Sequence, residues 1–586
     1  MSKNTDRYTR TKFKDCPPSE TLSRIKGILS RAGIETEEAW TQSGVCSVSS
    51  LRVTIKGTNI GQNGKGTDKD YACASGYAEF MERLMTGLLY QYDRDTLSEC
   101  MGIPASFPDE EVMDISRAIT SGGELLKETF RRIHLSDGGI GFLAPSLREE
   151  VEKWGCNFTM IPYRNINTGI LEWIPEEICR AYYFTNGSCA GNSKEEALVQ
   201  GLSEIAERYA ANHIMVNRLT PPVIPEKDLQ EIPALWEIIE KMLLHPGYNL
   251  RVVDASCGMG LPVVGTILTD ESSGKMLIRF GSHPRFETAL ERCLTEMLQG
   301  RHIDRLEQTP LFDLTRDSEA LKIENRFNFA KAACGIFPSE ILGSTPSWNY
   351  EGFARVGEST NEQYEFLLKL FSGLSFTPYV RDCSFLGFDV YHIIVPEASM
   401  IFDFGSQRLR ERNLHFELRD ALRDIRKCSI TGLDKVLSYV LEKRGWMIEN
   451  DYGHLSGIPC DPKLMGLPMG ADVIAALILM SMNDYNSAAG ILKDHIYDKE
   501  GRATFAMPLL QAALLKVKGQ VLNTEALEAV YPEGWGKKCE EVINDPLSAM
   551  PELTCPDCGS CPHVAECAMP AAKEGFRQFF ISVNKH

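Results

Sequence analysis

At 586 residues with a formal net charge of −18, the chain is too long for one ordinary core and too acidic for a general nucleic-acid binder, which needs a basic footprint. Hydrophobic residues make up 43% and charged residues 24%, the balance of a soluble globular protein of two or three domains. The first twenty residues lack the apolar core of a signal peptide, and the longest apolar run, Val473 to Met482, is too short for a membrane span. A cytoplasmic protein with mostly reduced thiols is therefore expected, even with 18 cysteines.

In chain order, Thr21 to Ala32 has helical periodicity. Ser47 to Ile55 alternates like a strand, and Gly57 to Gly66 reads as a glycine-rich loop. A helix is expected from about Asp68 to Tyr90. The stretch 101–155 reads as irregular, acidic at its start. Strand signals over Ile161 to Thr185 lead to a turn at Asn186-Gly187, then to a helix from about Lys194 to Asn212. Asn249 to Leu268 and Lys275 to Phe280 read as paired strands, Phe286 to Gly300 as a third long helix, and Arg381 to Ile401 as two more strands. This alternation predicts an α+β fold with mixed or antiparallel sheets rather than a doubly wound one.

After about residue 440 the strand signals vanish. Short helices are expected at Ala471 to Met482, Ser487 to His495, Met507 to Lys518 and Asn523 to Val530. The organisation read from the chain is thus a domain at 1–440, a small all-α region of helix-hairpin (TPR-like) type at 441–550, and a cysteine-rich tail at 551–586.

One motif occurs twice. Gly66 to Arg83 (GTDKDYACASGYAEFMER) and Gly191 to Arg208 (GNSKEEALVQGLSEIAER) align without a gap and share seven of eighteen positions. Both end in E-x-x-E-R on an expected helix. At ~100° per residue, Glu196, Gln200, Glu204 and Glu207 fall within an arc of roughly 80°. Ser75, Glu79 and Glu82 share a face of the first copy, and Arg292 and Glu296 are i, i+4 neighbours on the third long helix. Exposed i, i+4 ion pairs contribute only a few tenths of a kcal/mol, which gives them no energetic reason to recur in register. Gly76 and Gly201 precede the first glutamate of each copy, where glycine weakens a helix, so another backbone or a ligand is expected close by. Divalent cations offset clustered carboxylates, Mg2+ takes the rest of its ligands from phosphate, and arginine reaches phosphate directly. A di-iron site would need Glu-x-x-His, which neither copy has. No phosphate loop of the G-x-x-x-x-G-K-[ST] kind occurs, since Lys65 is followed by Gly66.

With these residues in hand, residues 10–440 resemble the YcaO family, through NGKGTDKDYACASGYAEFMERL, FTNGSCAGNSKEEALVQGLSEIAERY and GSHPRFETALERCLTEMLQGR. The likeness is greatest to stand-alone bacterial members with a C-terminal helical extension. It implies an ATP- and Mg2+-dependent enzyme that phosphorylates a peptide backbone amide on oxygen, so that a nucleophile can attack the carbon. It also implies that Glu79, Glu82, Glu204, Glu207 and Glu296 hold Mg2+. By the same resemblance Lys14, Thr21, Asn192, Glu196, Gln200, Arg208 and Arg292 contact the nucleotide. No dedicated general base is evident. Cys189 stands where serine is common, which puts a ligand contact there in doubt. The family's azoline-forming members end in a proline-rich tail, whereas the last proline here is Pro570. Thioamidation or a related sulfur-linked modification is therefore expected ahead of azoline formation by a cyclodehydratase. The alternative is an ATP-binding accessory protein for methylthiolation of a ribosomal protein. The expected partners are a peptide or protein substrate and a sulfur-delivery or methylthiolation protein, with a homodimer as the ordinary assembly.

Cys555, Cys558, Cys561 and Cys567 are spaced C-x2-C-x2-C-x5-C, with His563 among them. Zinc or an iron–sulfur cluster fits that spacing. His283 is expected to be a loop contact or cap neighbour, and Asp254 and Asp382 structural strand ends.

Overall fold

The computed structural model describes residues 14–45, 47–90, 94–134, 157–308, 312–332, 335–401, 407–444, 452–456, 470–497, 504–550 and 557–585. The chain forms two compact units. The first takes residues 1–90, 106–409 and 575–586, and the second takes 91–105 and 410–574. Among the described residues no helix is long and apolar enough to cross a membrane.

The first unit is α+β, as expected, with three antiparallel sheets among its described residues. Helix α1 (Pro18–Arg31) precedes a sheet of β1 (Thr36–Gln42), β2 (Ser49–Ile55) and β3 (Gly61–Gly66), which leads into α2 (Lys69–Met85). β4 (Glu111–Asp114), β5 (Asn157–Asn165), β6 (Leu171–Pro175) and β7 (Ser188–Gly191) belong to a second sheet, and α3 (Lys194–Val216) follows β7. β8 (Tyr248–Asp254), β9 (Val263–Asp270) and β10 (Lys275–Ser282) form meander pairs, α4 (Phe286–Leu298) follows, and β11 (Phe312–Asp313) pairs with β10. β12 (Tyr379–Asp382) and β13 (Asp389–Ile394) complete the second sheet, which runs β4-β5-β12-β13-β7 with β6 on β5.

Three expectations need correction. Gly57 to Gly66 is not a loop throughout, because its second half is strand β3, in register with β2 from Thr54↔Gly61 to Ser49↔Gly66. Its glycines serve packing: a Cβ on Gly64 would lie 2.3 Å from the Ala72 carbonyl oxygen and 2.4 Å from the Gly76 nitrogen. Strand and helix backbones therefore meet where no side chain fits. The stretch 101–155 is also not simply irregular. It holds β4 and helices Ile115–Ser121 and Gly123–His134, while 135–156 lie outside the described residues. The acidic residues at its start are partly caps, with Asp114 accepting from the Arg117 N–H at 2.9 Å. Helix α2 also stops short of Tyr90, because Gly87 takes a positive φ of 73° just past its end.

The duplication is in fact a triplication. Gly64, Ala72, Gly76 and Glu79 recur with the same spacing in Cys189, Ala197, Gly201 and Glu204, and again in Gly281, Ala289, Cys293 and Glu296. Each set is a strand, a short turn and a helix: β3–α2, β7–α3 and β10–α4. A Cβ on Gly281 would lie 2.4 Å from the Ala289 oxygen and 2.5 Å from the Cys293 nitrogen, and one on Gly201 would lie 2.8 Å from Cys189 Sγ. Every copy therefore has glycine on one side at least of the crossing. Asp68 and Ser193 cap the first two helices, accepting from the Tyr71 and Glu196 amides. Beneath α3, Leu198, Leu202 and Ile205 are almost wholly buried; burial of each stabilises the fold by about 2 kcal/mol.

The unit also uses the far end of the chain. Phe576 and Phe580 pack on Tyr90 at ring distances of 5.5 and 6.0 Å, and Phe107 stacks on Phe385 at 5.3 Å.

The second unit is helical where described. Its helices Ala471–Ser481, Tyr485–Leu492, Ala506–Val517 and Thr524–Val530 lie close to the expected positions. Asn483 takes φ of 65° between the first two, and Asp484 caps the second through the Ser487 amide. Trp535–Asn544 is a further helix whose signal was missed; it packs Cys539, Val542 and Ile543 into a core with Ile474, Leu477 and Leu509.

Candidate functional site

The three helices of the repeat turn matching faces into one cavity of about 340 Å3. Equivalent positions line it in rows: Ser75, Gln200 and Arg292; then Glu79, Glu204 and Glu296; then Glu82, Glu207 and Gln299. All twelve nucleotide- and Mg2+-contact residues expected from the resemblance, from Lys14 to Glu296, lie on this lining. Sequence reasoning missed Lys65, Tyr71, Thr288, Glu291 and Thr295, which also face the cavity. In the sequence Lys65 stands out only as the lysine of a glycine-rich stretch that fails the phosphate-loop pattern. Thr288, Glu291 and Thr295 become visible once Ala289 and Glu296 are seen to continue the repeat.

At one end of the cavity the segment before α1 is tied to the start of α3. The Asp15 N–H donates to Glu196 Oε2 at 2.8 Å, and Lys14 Nζ lies 3.2 Å from Glu196 Oε1. Asn192 Nδ2 donates to both Glu196 oxygens at 3.1 Å, while Thr21 Oγ1 donates to Asn192 Oδ1 at 2.7 Å. Burial would raise the Glu196 carboxyl, but Lys14, the Asp15 amide and Asn192 outweigh it and hold it below the usual range. This end is a pre-set array of donors around one ionised carboxylate.

The middle and far end carry the acid cluster. Arg292 bonds Gln200 Oε1 and donates to the Ser282 carbonyl at 2.8 Å. Arg83 lies 3.0 Å from Glu82 and donates to the Thr185 carbonyl at 3.3 Å. Arg208 lies 3.9 Å from Glu204, too far for a hydrogen bond. Glu204 Oε1 and Arg208 Nε and Nη1 are buried without a hydrogen-bond partner. Burial pushes the Glu79 and Glu82 carboxyls up, and pushes Glu207 up to about 7 in spite of Arg208. Burial also lowers Lys65, against the pull of Glu79 and Glu207.

Seven glutamates and five lysines or arginines line the cavity, so the fully ionised site carries two surplus negative charges. That is the charge one divalent cation neutralises. Among the described residues no three His, Cys, Asp or Glu side chains converge on one point as a closed metal site would. The glutamates instead stand apart along the walls, with an orphaned carboxylate oxygen and an orphaned guanidinium. Such a donor set fits Mg2+ that takes its other ligands from water and phosphate.

The remaining expectations have plain outcomes. Cys189 is fully buried under Gly201, with Sγ 3.5 Å from the Tyr391 carbonyl, so its role is packing. His283 Nδ1 accepts from the Arg285 amide at 3.1 Å ahead of α4, as a cap neighbour would. Asp254 accepts from Ser256 and from Trp348 Nε1, and Asp382 from the Ser384 amide, which makes both structural. Cys555 lies outside the described residues, while Cys558, Cys561 and Cys567 are half-buried and form no disulfide among the described residues, and Cys567 Sγ accepts from the Met569 amide at 3.4 Å.

A family profile described as YcaO cyclodehydratase, ATP- and Mg2+-binding, matches residues 63–399. The chain is 29% identical over 418 residues to the ribosomal protein S12 methylthiotransferase accessory factor YcaO of Escherichia coli strain K12, spanning 70% of this chain and 69% of that one. Among solved structures it resembles YcaO from Methanopyrus kandleri bound with AMPPCP and Mg2+, with 20% identity, a TM-score of 0.42, and 67% of this chain and 94% of that one covered. It also resembles a heterocyclase in complex with substrate and cofactor, with 16% identity, a TM-score of 0.45, and 66% and 53% covered. A profile match over more than half of its length, on the same helices that wall the cavity, makes this chain a member of the YcaO family.

Proposed function

We propose that the cavity binds ATP with Mg2+ and that the protein uses it to phosphorylate the oxygen of a backbone amide in a peptide or protein substrate. The observation that carries this reading is the convergence of three equivalent helix faces on one acidic cavity, in which Glu204 Oε1 and Arg208 Nε and Nη1 are buried without a hydrogen-bond partner. The family description agrees with ATP and Mg2+ as ligands.

In this reading Asn192, Glu196, Lys14 and Thr21 orient the nucleotide at the strapped end. Gln200, Arg208 and Arg292 receive phosphate oxygens, and Glu79, Glu82, Glu204, Glu207 and Glu296 hold the cations. Bound Mg2+ would supply charge neutralisation of the phosphates. Phosphoryl transfer needs little else from a protein than positioning and cationic stabilisation, which accounts for a site rich in arginine and lacking a histidine base. The amide oxygen takes the γ-phosphoryl group and ADP leaves. A sulfide-class nucleophile then adds to the activated carbon, and phosphate departs with the original oxygen, leaving a thioamide. The reading includes a cytosolic location, a sulfur-delivery or methylthiolation partner, a homodimer, and zinc or an iron–sulfur cluster at Cys555, Cys558, Cys561 and Cys567.

Two specific observations favour other outcomes. The name of the Escherichia coli relative favours an accessory protein that binds ATP and supports methylthiolation of a ribosomal protein, without modifying a peptide itself. The cyclodehydratase description favours attack by a neighbouring Cys, Ser or Thr to give an azoline. Mass spectrometry of peptides and ribosomal proteins from cells with and without the gene separates the three. Oxygen-to-sulfur exchange supports thioamidation. Loss of water supports azoline formation. A change confined to methylthiolation supports the accessory role. ATP hydrolysis that survives in both Glu204→Ala and Arg292→Ala would remove the cavity from all of them.

A further inference from the structure

The three copies of the repeat are not charged alike. Glu79 and Glu204 are each followed one turn later by an arginine, Arg83 and Arg208, 3.9 Å away in both cases. The position equivalent to those arginines in the third copy is Gly300, and Arg292, one turn before Glu296 on the same helix, is turned to Gln200 Oε1 and the Ser282 carbonyl instead. The cation of Glu296 comes from another copy. Lys65, on β3, reaches across the cavity, pairs with Glu296, and donates to Gln299 Oε1 at 3.2 Å. The strand positions equivalent to Lys65 are Ala190 and Ser282, which carry no charge. Lys65 is therefore an added cation, placed beside the one glutamate of the row Glu79, Glu204 and Glu296 that no arginine follows.

The choice of lysine matters. A guanidinium holds a carboxylate through a rigid two-pronged contact, whereas an ammonium is a compact point charge on a flexible stem. Two of the cavity arginines are also tethered to backbone, Arg83 by the Thr185 carbonyl and Arg292 by the Ser282 carbonyl. Lys65 Nζ pairs with Glu296 on helix α4 and donates to Gln299 just past the end of that helix, so it holds a carboxylate wanted by a cation.

We infer that Lys65 is a built-in counter-ion of the cation site, which holds Glu296 in place until a divalent cation displaces it. This rests on the reading of the cavity as an Mg2+–ATP site. Lys65 and the cation compete for the same carboxylate, so the lysine sets the threshold of divalent cation at which the site assembles.

The test is titration with Mn2+ alone, without nucleotide, followed by the electron paramagnetic resonance of the free ion. Lys65→Met should bind Mn2+ on the order of tenfold more tightly than the unmodified protein, because a positive charge has left the site. Lys65→Arg, which keeps the charge, should show no tightening. Unchanged or weaker binding in Lys65→Met with a native-like melting transition overturns the inference. Absence of any Mn2+ binding by the unmodified protein overturns it together with the Mg2+–ATP reading, which separates the two failures. If Lys65→Met does not fold, amine acylation of the unmodified protein decides. Modification at Lys65, read by peptide mass spectrometry, should rise severalfold on adding Mn2+ while the exposed Lys56 stays constant. A Lys65 signal that is flat or falling overturns the inference.

Discussion

The strand-facing and cavity-facing sides of the three repeat helices obey different rules. On the strand side, size is kept and chemistry is free: Gly64 meets Gly76, Cys189 meets Gly201, and Gly281 meets Cys293, so the small residue changes sides between copies. On the cavity side, spacing is kept and charge is free: Ser75, Gln200 and Arg292 occupy one row, and Glu82, Glu207 and Gln299 another. The first side answers to steric exclusion, which admits any pair of sufficiently small total volume. The second answers to the ligand, which is asymmetric and so needs three different walls.

The largest expected effect falls on the cavity side. Arg292→Ala and Glu204→Ala should each lower ATP turnover by roughly 100-fold or more, the scale for loss of a group aimed at developing charge. Both should keep a cooperative urea transition, because neither side chain fills the glycine contacts of the crossings and Arg292 reaches only the Ser282 carbonyl at the end of β10. If they unfold instead, the two sides are not separable.

The strand side should respond in the opposite sense. Gly64→Val should destabilise the fold by roughly 3 kcal/mol or more, as forced overpacking of backbone against backbone does, read as a fall in the urea midpoint. A stable, soluble Gly64→Val protein would break the steric argument.

A third effect joins acidity to stability. Glu207 ionises near pH 7 in the fold against 4.5 ordinarily, so between those values the folded state holds more protons than the unfolded one. Without divalent cations, stability contributed by this group should fall as pH rises from about 4.5 to about 7. Saturating Mg2+ should shrink or reverse that slope, since the cation favours the ionised carboxylate. Thermal melts at the two ends of that window, about pH 4.5 and about pH 7, with and without Mg2+, are the measurement. Equal slopes in both conditions would mean that Glu207 does not meet the cation.

The smallest effect is Cys189→Ser, with a loss of about 1 kcal/mol from burying a hydroxyl in place of a thiol and little change in ATP turnover. A large loss of turnover at unchanged stability would return Cys189 to the ligand.

Much of the candidate site was legible in the chain because its residues repeat at helical spacing. Glu79, Glu82, Glu204 and Glu207 announced themselves through the gapless alignment of two copies, and the family likeness added Glu296 and Arg292. The third copy escaped as a repeat because it keeps only Ala289 and Glu296 of the shared residues, a pattern without statistical weight until β10 and α4 are seen in place. Lys65 escaped for a different reason. Its partners, Glu296 and Gln299, lie more than two hundred residues away, and local pattern has no access to such pairing. The fold class followed from alternation of strand and helix signals, but strand β1 did not, because its TEEAWTQ stretch is largely exposed and lacks the apolar alternation that marks a buried face.

The return of residues 575–586 to the first unit has a consequence for how the molecule is made. Phe576 and Phe580, which cover Tyr90, are synthesised after the whole helical unit. On the ribosome, the first unit cannot close its aromatic layer early, however soon its sheets pair. The helical unit, complete by residue 574, has all of its chain before its neighbour does. Order of birth and order of completion are reversed, and a truncation after residue 440 would leave Tyr90 and Phe107 uncovered rather than release a self-sufficient domain.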